Sequence, residues 1–473
     1  MPCVLIACLG AMLLLAGCGG SHTFVTPAPD TNASWVIRNV RVFDAPHASL
    51  LEGLRDVEVR DGRIAAILPP GGAASGLAQI DGGGRTLLPG LVDVHTHTGG
   101  SAAPPWVTEL PAQEENLGAF LYAGVTTVLD AGALTPAIFN LRSRVDARAL
   151  LAPHLFAAGP MFTAPNGHPI GIMRANLPLF ARWYVLPRIA REVATPEAAR
   201  QAVAELLPYH PDFIKIAVDD LIPNEPRIDT DVLVAIVERA HEGHVRAIAH
   251  IGRSRDVLDA VGAGVDALMH DVYAAPITAE AVAAIAKAHV PVVVTIGIWD
   301  AVEEVGEQQI EKRASITQEI AKPAVLAALS AFPSESERAR FREMSKILRE
   351  SHAARRTNVA ALRAAGVTIL AGSDAVNIGQ FPGAGLHDEL AKLVESGMKP
   401  GEALRAATYD NARFLVGVGV GVGGDAAFGE VKVGQRADLV LVDGDPTADI
   451  TAAQHIARVW LNGVDLVRHP RPH

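Results

Sequence analysis

The chain has 473 residues, 49% of them apolar and 20% charged, an ordinary globular composition with enough material for one large domain and an accessory unit. A formal net charge of −11 and an aromatic content of 5% exclude the basic stripe and stacking platforms of a nucleic-acid binder. All three cysteines fall in the first 18 residues, so the remainder holds neither disulfides nor thiolate metal sites.

Residues 3–16 form an apolar run too short to span a bilayer but suited to a signal-peptide core. It ends in Leu15-Ala16-Gly17-Cys18, which resembles a bacterial lipoprotein cleavage box, although residues 1–8 lack the usual Lys or Arg. Residues 1–18 are therefore expected to be a signal peptide ending at a lipidated Cys18. Residues 19–33, rich in Gly, Ser, Thr and Pro, read as a flexible tether of about 20 Å mean reach. Short β segments follow at 35–43 and 57–64, with Asp61-Gly62 as a hairpin signal. Similar segments return at 429–434, 437–443 and 459–463. Neither set can close a core alone, so residues 34–90 and 425–469 are expected to form one β-sandwich from both chain ends.

Residues 91–424 alternate strand and helix. Candidate strands are 91–97, 126–132, 153–162, 212–218, 246–250, 266–270, 291–296 and 367–374. Eight such units predict an α/β fold, a (β/α)8 TIM barrel with insertions. The largest insertion, about 300–365, is rich in Glu, Lys, Arg and Ala and reads as a solvated pair of helices.

The carboxyl ends of these strands carry the chemistry. The first is entered through Pro89-Gly90 and ends in His95-Thr96-His97. Residues two apart on a strand share a face, so both imidazoles can reach one metal ion. Strand four carries Lys215 inside an apolar run, where a buried ammonium is costly and suggests a salt bridge or a misplaced strand. Strands five, six and eight end in His250, His270 and Asp374. Any one of these could be a satisfied core residue; all five strands ending in a ligand type points to a metal centre.

Taken in order, these segments resemble the amidohydrolase superfamily, in its prolidase-like and imidazolonepropionase-related branch. The carriers are Leu88-Pro89-Gly90-Leu91-Val92-Asp93-Val94-His95-Thr96-His97, Ala123-Gly124-Val125-Thr126-Thr127-Val128, Phe213-Ile214-Lys215-Ile216, Ala249-His250, Ala267-Leu268-Met269-His270 and Ala371-Gly372-Ser373-Asp374. The helix segment Leu386-His387-Asp388-Glu389-Leu390 and Gly434-Gln435-Arg436-Ala437-Asp438-Leu439 also match, and the resemblance runs from Trp35 to about residue 465.

The resemblance implies two divalent metal ions, Zn²⁺ by ligand type. His95, His97 and Asp374 would hold one, His250 and His270 the other, and Lys215, as a CO2-derived carbamate, would bridge them. It further implies hydrolysis of a C–N bond by metal-activated hydroxide, Asp374 accepting the proton and passing it to the leaving nitrogen. His168 and Tyr273 are the further catalytic candidates at the substrate. The expected substrate is a small molecule, a dipeptide such as Xaa-Pro or an N-acyl amino acid. An esterase, lactonase or phosphotriesterase on the same metals is the alternative, with a non-catalytic envelope binding protein behind it. No nucleic-acid partner is expected, the membrane enters only through the Cys18 anchor, and homo-oligomerisation is left open. With Gly19 rather than Asp after Cys18, the expected location is the cell envelope, at the outer membrane facing the periplasm. Two other patterns read as structural: Gly419-Val420-Gly421-Val422-Gly423-Gly424, a connector without a following βαβ helix, and His387 with Glu389 on a helix.

Overall fold

A computed structural model describes residues 21–29, 33–73, 76–107, 109, 112–220, 225–307, 314–417 and 428–472. Cys18 and the glycine pattern at 419–424 lie outside these residues.

Both chain ends build one ten-stranded sheet. Its spine is Trp35–Asp44, paired antiparallel with Arg55–Arg60 and parallel with Ala78–Asp81 and Thr86–Pro89. Thr86–Pro89 then pairs with Leu439–Val442, which leads to Ile456–Leu461 and Val464–Arg468. The halves share an apolar core in which Trp35 and Trp460 pack with ring centroids 4.9 Å apart. The Asp61-Gly62 turn forms as expected: both residues have positive φ (49° and 75°), and Arg60 pairs with Arg63 across it.

The tether expectation for 19–33 is corrected over its described part. Val25–Pro27 pairs antiparallel with Leu466–Arg468, Phe24 is buried beside Tyr122, and the Ala28 amide donates to the Asp465 carbonyl. Val464–Arg468 would otherwise present an unpaired sheet edge, and the Phe24-Val25 pair supplies an apolar cover for it.

Eight parallel strands carry the rest: β1 Leu91–Thr96, β2 Val125–Asp130, β3 His154–Ala157, β4 Phe213–Ala217, β5 Arg246–His250, β6 Ala267–Met269, β7 Val292–Val294 and β8 Ile369–Ala371. β1 to β3 form one sheet and β4 to β8 belong to another, all parallel. Backbone bonds also join them at both open sides. The Asp374 amide donates to the His95 carbonyl (2.8 Å) beyond β8, and the Asp212 amide donates to the Ala157 carbonyl (2.9 Å) between β3 and β4. The expected single strand 153–162 is broken at Gly159, whose φ is +80°; its second part, Met161–Thr163, pairs with β4 instead. The strands are buried on both faces, which is why they read as continuous apolar runs.

The 300–365 insertion is not a solvated helix pair. It contains α1 Ile296–Glu307, α2 Glu335–Glu350 and α3 His352–Ala364, with two shorter helices between the first two. Arg355 on α3 is fully buried and donates to Asp300 (2.8 Å) and Glu303 (2.7 Å) of α1, while Arg356 reaches Asp300 at 2.6 Å. Part of the charge that looks like surface in the sequence is thus paired between α1 and α3, while Glu335, Arg342, Lys346 and Glu350 of α2 stay exposed. Among the described residues, no helix is long and apolar enough to cross a membrane.

Candidate metal centre

The site forms where β1, β4, β5, β6 and β8 end. His95 lies on β1 and His97 just past it, with rings 5.5 Å apart. The Oδ1 of Asp374 is 3.1 Å from His97 Nε2 and 3.7 Å from His95 Nε2. Asp374 and His270 are held at φ 55° and 73°, a left-handed backbone that costs free energy in a non-glycine residue and is often kept at functional sites.

The loop carrying Asp374 is tied to β1 by Asp93, whose carboxylate accepts from the Ser373 hydroxyl, the Ser373 amide (3.0 Å) and the His95 amide (3.2 Å). Asn411 spans the same seam, donating to the carbonyls of Val92 (2.6 Å) and Ala371 (2.7 Å). Asp93 was visible within the β1 motif; Asn411 carried no local signal, since it arrives from more than 300 residues away.

Lys215, fully buried on β4, places Nζ 3.3 Å from His95 Nε2. Burial drops its pKa to about 7, against the opposing charges of Asp374 and Asp219. Burial, and then the Lys215 charge, hold His95 well below the ordinary imidazole value. The His250 and His270 rings are 4.1 Å apart, and the His95 and His270 rings 4.5 Å. His270 Nδ1 contacts the Thr295 hydroxyl, and burial and the neighbouring His250 push its pKa down too. All six expected ligands therefore meet in one cluster.

His168 and Tyr273 also reach this cluster, in different ways. The His168 ring is 4.8 Å from that of His250, and burial lowers its pKa to about 3, with the His250 charge adding to the effect. Tyr273 is buried, its hydroxyl donates to Asp219 (2.9 Å), and its ring stacks on Trp299 of α1 at 3.6 Å. Asp219, which the sequence reading missed, also lies 3.3 Å from His250 Nε2. The signal was there: a carboxylate immediately beyond the strand that carries Lys215. The insertion thus contributes Trp299 to the site's wall.

The donors fit a cation. His97 Nδ1 is 3.1 Å from the Gly132 carbonyl, which can only accept, so Nδ1 carries the proton. A neutral His97 then points the Nε2 lone pair at Asp374 Oδ1, an arrangement stable only with a proton or metal ion between them. Burial alone would lower the His97 pKa, but its hydrogen bond to Asp374 and the carboxylate charge raise it. His250 Nε2 and Asp374 Oδ1 are both buried and face Asp219 at 3.3 Å and His97 at 3.1 Å, contacts that call for a proton or a cation between the atoms. The donors are nitrogen and oxygen without sulfur, and His95, His97 and Asp374 offer atoms within 4.8 Å of one another. A second such group, Asp300, Glu303 and His352, is already neutralised by Arg355 and Arg356.

Comparison with known proteins agrees with this geometry. Residues 86–465 match the model of the amidohydrolase family. An uncharacterized protein of Mycobacterium bovis is 27% identical over 414 residues, 85% of this chain and 90% of that one. The ochratoxinase of Aspergillus niger is 24% identical over 406 residues, covering 80% and 75% of the two chains. Among solved structures, a prolidase in complex with N-methylphosphonate-L-proline superposes with a TM-score of 0.72 at 24% identity, over 92% of this chain and all of that one. A Xaa-Pro dipeptidase with bound methionine gives a TM-score of 0.70 at 21% identity, over 91% and 99%.

Proposed function

Because the chain belongs to the amidohydrolase family, and is on that ground a metal-dependent hydrolase, we propose that it cleaves the C–N bond of a small dipeptide such as Xaa-Pro or of an N-acyl amino acid. The observation that carries this reading is the meeting of His95, His97, Lys215, His250, His270 and Asp374 at five strand ends. In it, the eight parallel strands close a (β/α)8 barrel, supported by the backbone bonds at both open sides, and the terminal sheet folds over its core as a β-sandwich.

His95, His97 and Asp374 would hold one divalent ion and His250 and His270 the other, zinc by ligand type, with Lys215 between them as a carbamate. Bound there, the pair would supply Lewis-acid polarisation and a water acidic enough to ionise near neutral pH. The chain's own residues do the rest. Burial favours a neutral Lys215 amine, the form that reacts with CO2. Asp374 Oδ1, buried and facing the cluster, accepts the nucleophile's proton and returns it to the leaving nitrogen. His168, kept neutral by burial, can accept or donate at the substrate, and Asp219 fixes the Tyr273 hydroxyl against the same wall.

Metal-loaded protein should hydrolyse members of a panel of dipeptides and N-acyl amino acids, with esters, lactones and phosphotriesters assayed alongside. Close to two equivalents of metal per chain are expected, lost together with activity on chelation. Activity confined to the esters would overturn the C–N assignment, and one equivalent or none would overturn the binuclear one. The reading also places the protein at the outer membrane through a lipidated Cys18. Cys18→Ser should then release active protein from the membrane fraction, and a wild-type chain found in the cytosol with residues 1–18 intact excludes the anchor.

A further inference from the structure

Residues 170–191 contain four arginines (Arg174, Arg182, Arg188 and Arg191) and no acidic residue, in a chain whose net charge is −11. The helix Leu179–Ile189 presents Leu179, Phe180, Trp183 and Tyr184 to solvent, exposed by 78%, 79%, 73% and 48%. At about 100° per residue these four occupy one arc of roughly 140°. With Ile172 they make up five of the nine large apolar side chains exposed among the described residues. The helix is anchored near its C-terminal turn, where Leu186 packs with Ile170 and Ala190. The segment therefore displays an apolar face without being loose.

The arginines are not consumed by ion pairs. Arg182 donates to the Leu177 carbonyl, Arg188 to that of Tyr184, Arg191 to that of Pro187, and Arg174 to the Asn166 side chain. Among the described residues no carboxylate forms a salt bridge with any of them. Carboxylates near the segment are Glu192, which accepts from the Asn166 amide, Glu225, beneath Gly171, and Glu205, whose charge acts on Arg191 without an ion pair.

An exposed apolar and aromatic face set among unpaired cations matches an anionic lipid surface: rings enter the headgroup boundary while guanidiniums meet phosphates. A second copy fits less well. A two-fold interface sets a patch against itself, which here would bring four unneutralised arginines against the same four. We propose that the helix Leu179–Ile189, with the arginines of 170–191 around it, docks on anionic bilayers, beside the loop carrying His168. The membrane thus acts through the folded domain as well as through the anchor expected at Cys18.

The test is hydrogen–deuterium exchange on the full chain, with and without vesicles of phosphatidylcholine containing one-third phosphatidylglycerol. Amides of 170–191 should become protected with anionic vesicles, and the protection should fall at high salt and with pure phosphatidylcholine. The exposed pair Phe180→Ser/Trp183→Ser should weaken this local protection at least tenfold and leave turnover of a soluble substrate unchanged. The apolar run at 3–16 is common to both proteins, so the local readout isolates the helix. Absence of protection at 170–191 on vesicle-bound chain overturns the proposal. So does protection that rises with protein concentration without vesicles, which would indicate a second copy, or protection by a single-stranded oligonucleotide alone.

Discussion

Asp374 and His387 show how similar residue types take different roles through their surroundings. Asp374 has a buried oxygen facing two imidazoles, whereas His387 is buried with Nε2 donating to the Ala123 carbonyl. Asp374→Asn should leave the chain folded and lower kcat by about 10² or more, measured under saturating metal, because the proton acceptor is gone. His387 is the structural histidine the sequence suggested, and burial lowers its pKa to about 4 from 6.5. Between those values the unfolded chain binds a proton that the folded chain refuses, so stability is lost as pH falls from about 6.5 towards 4. The difference amounts to about 3 kcal/mol at most. His387→Gln, which can still donate to Ala123 but cannot titrate, should flatten the urea midpoint over that range. An unchanged acid slope would assign the loss to another group.

Elements are held together here by polar groups that sequence periodicity does not register. α1 and α3 meet through buried Arg355 and Asp300 and the partly buried Glu303, and α1 also brings Trp299 against Tyr273. Removing this cation takes the guanidinium from Glu303, while Arg356 still pairs Asp300. Arg355→Met should therefore cost about 1.5–3 kcal/mol of unfolding free energy, the worth of a charged hydrogen bond, read from the denaturation midpoint. Because α1 lines the site, kcat should fall as well. A loss under about 1 kcal/mol would mean that water reaches the pair.

Across the whole molecule, the N-terminal strand closes the far edge of a sheet that the C-terminus completes. Phe24 and Val25 are 2% and 5% exposed, and Val25–Pro27 pairs with Leu466–Arg468. A chain starting at residue 29 should lose about 3 kcal/mol, the worth of burying two large apolar side chains, with metal content unaltered. Equal denaturation midpoints for the two chains would show that the strand is only laid on the surface.

The sequence by itself determined the eight parallel strands and the six polar residues that meet at them, because buried parallel strands read as apolar runs in which a polar group stands out locally. It also led to the expectation that both chain ends join in one β unit, a sandwich, since neither set of short strands could bury a core alone; the structure pairs them in a single ten-stranded sheet. Only the tertiary structure decided which groups are partnered. Asp219 and Thr295 beside the histidines, Asn411 across the β1–β8 seam, the break at Gly159 and the burial of Arg355 depend on contacts between residues distant in sequence. The docked strand at 25–27 belongs with them. A Thr- and Pro-rich stretch reads as free chain until an open sheet edge is there to receive it, and that edge is made by residues more than 400 positions away.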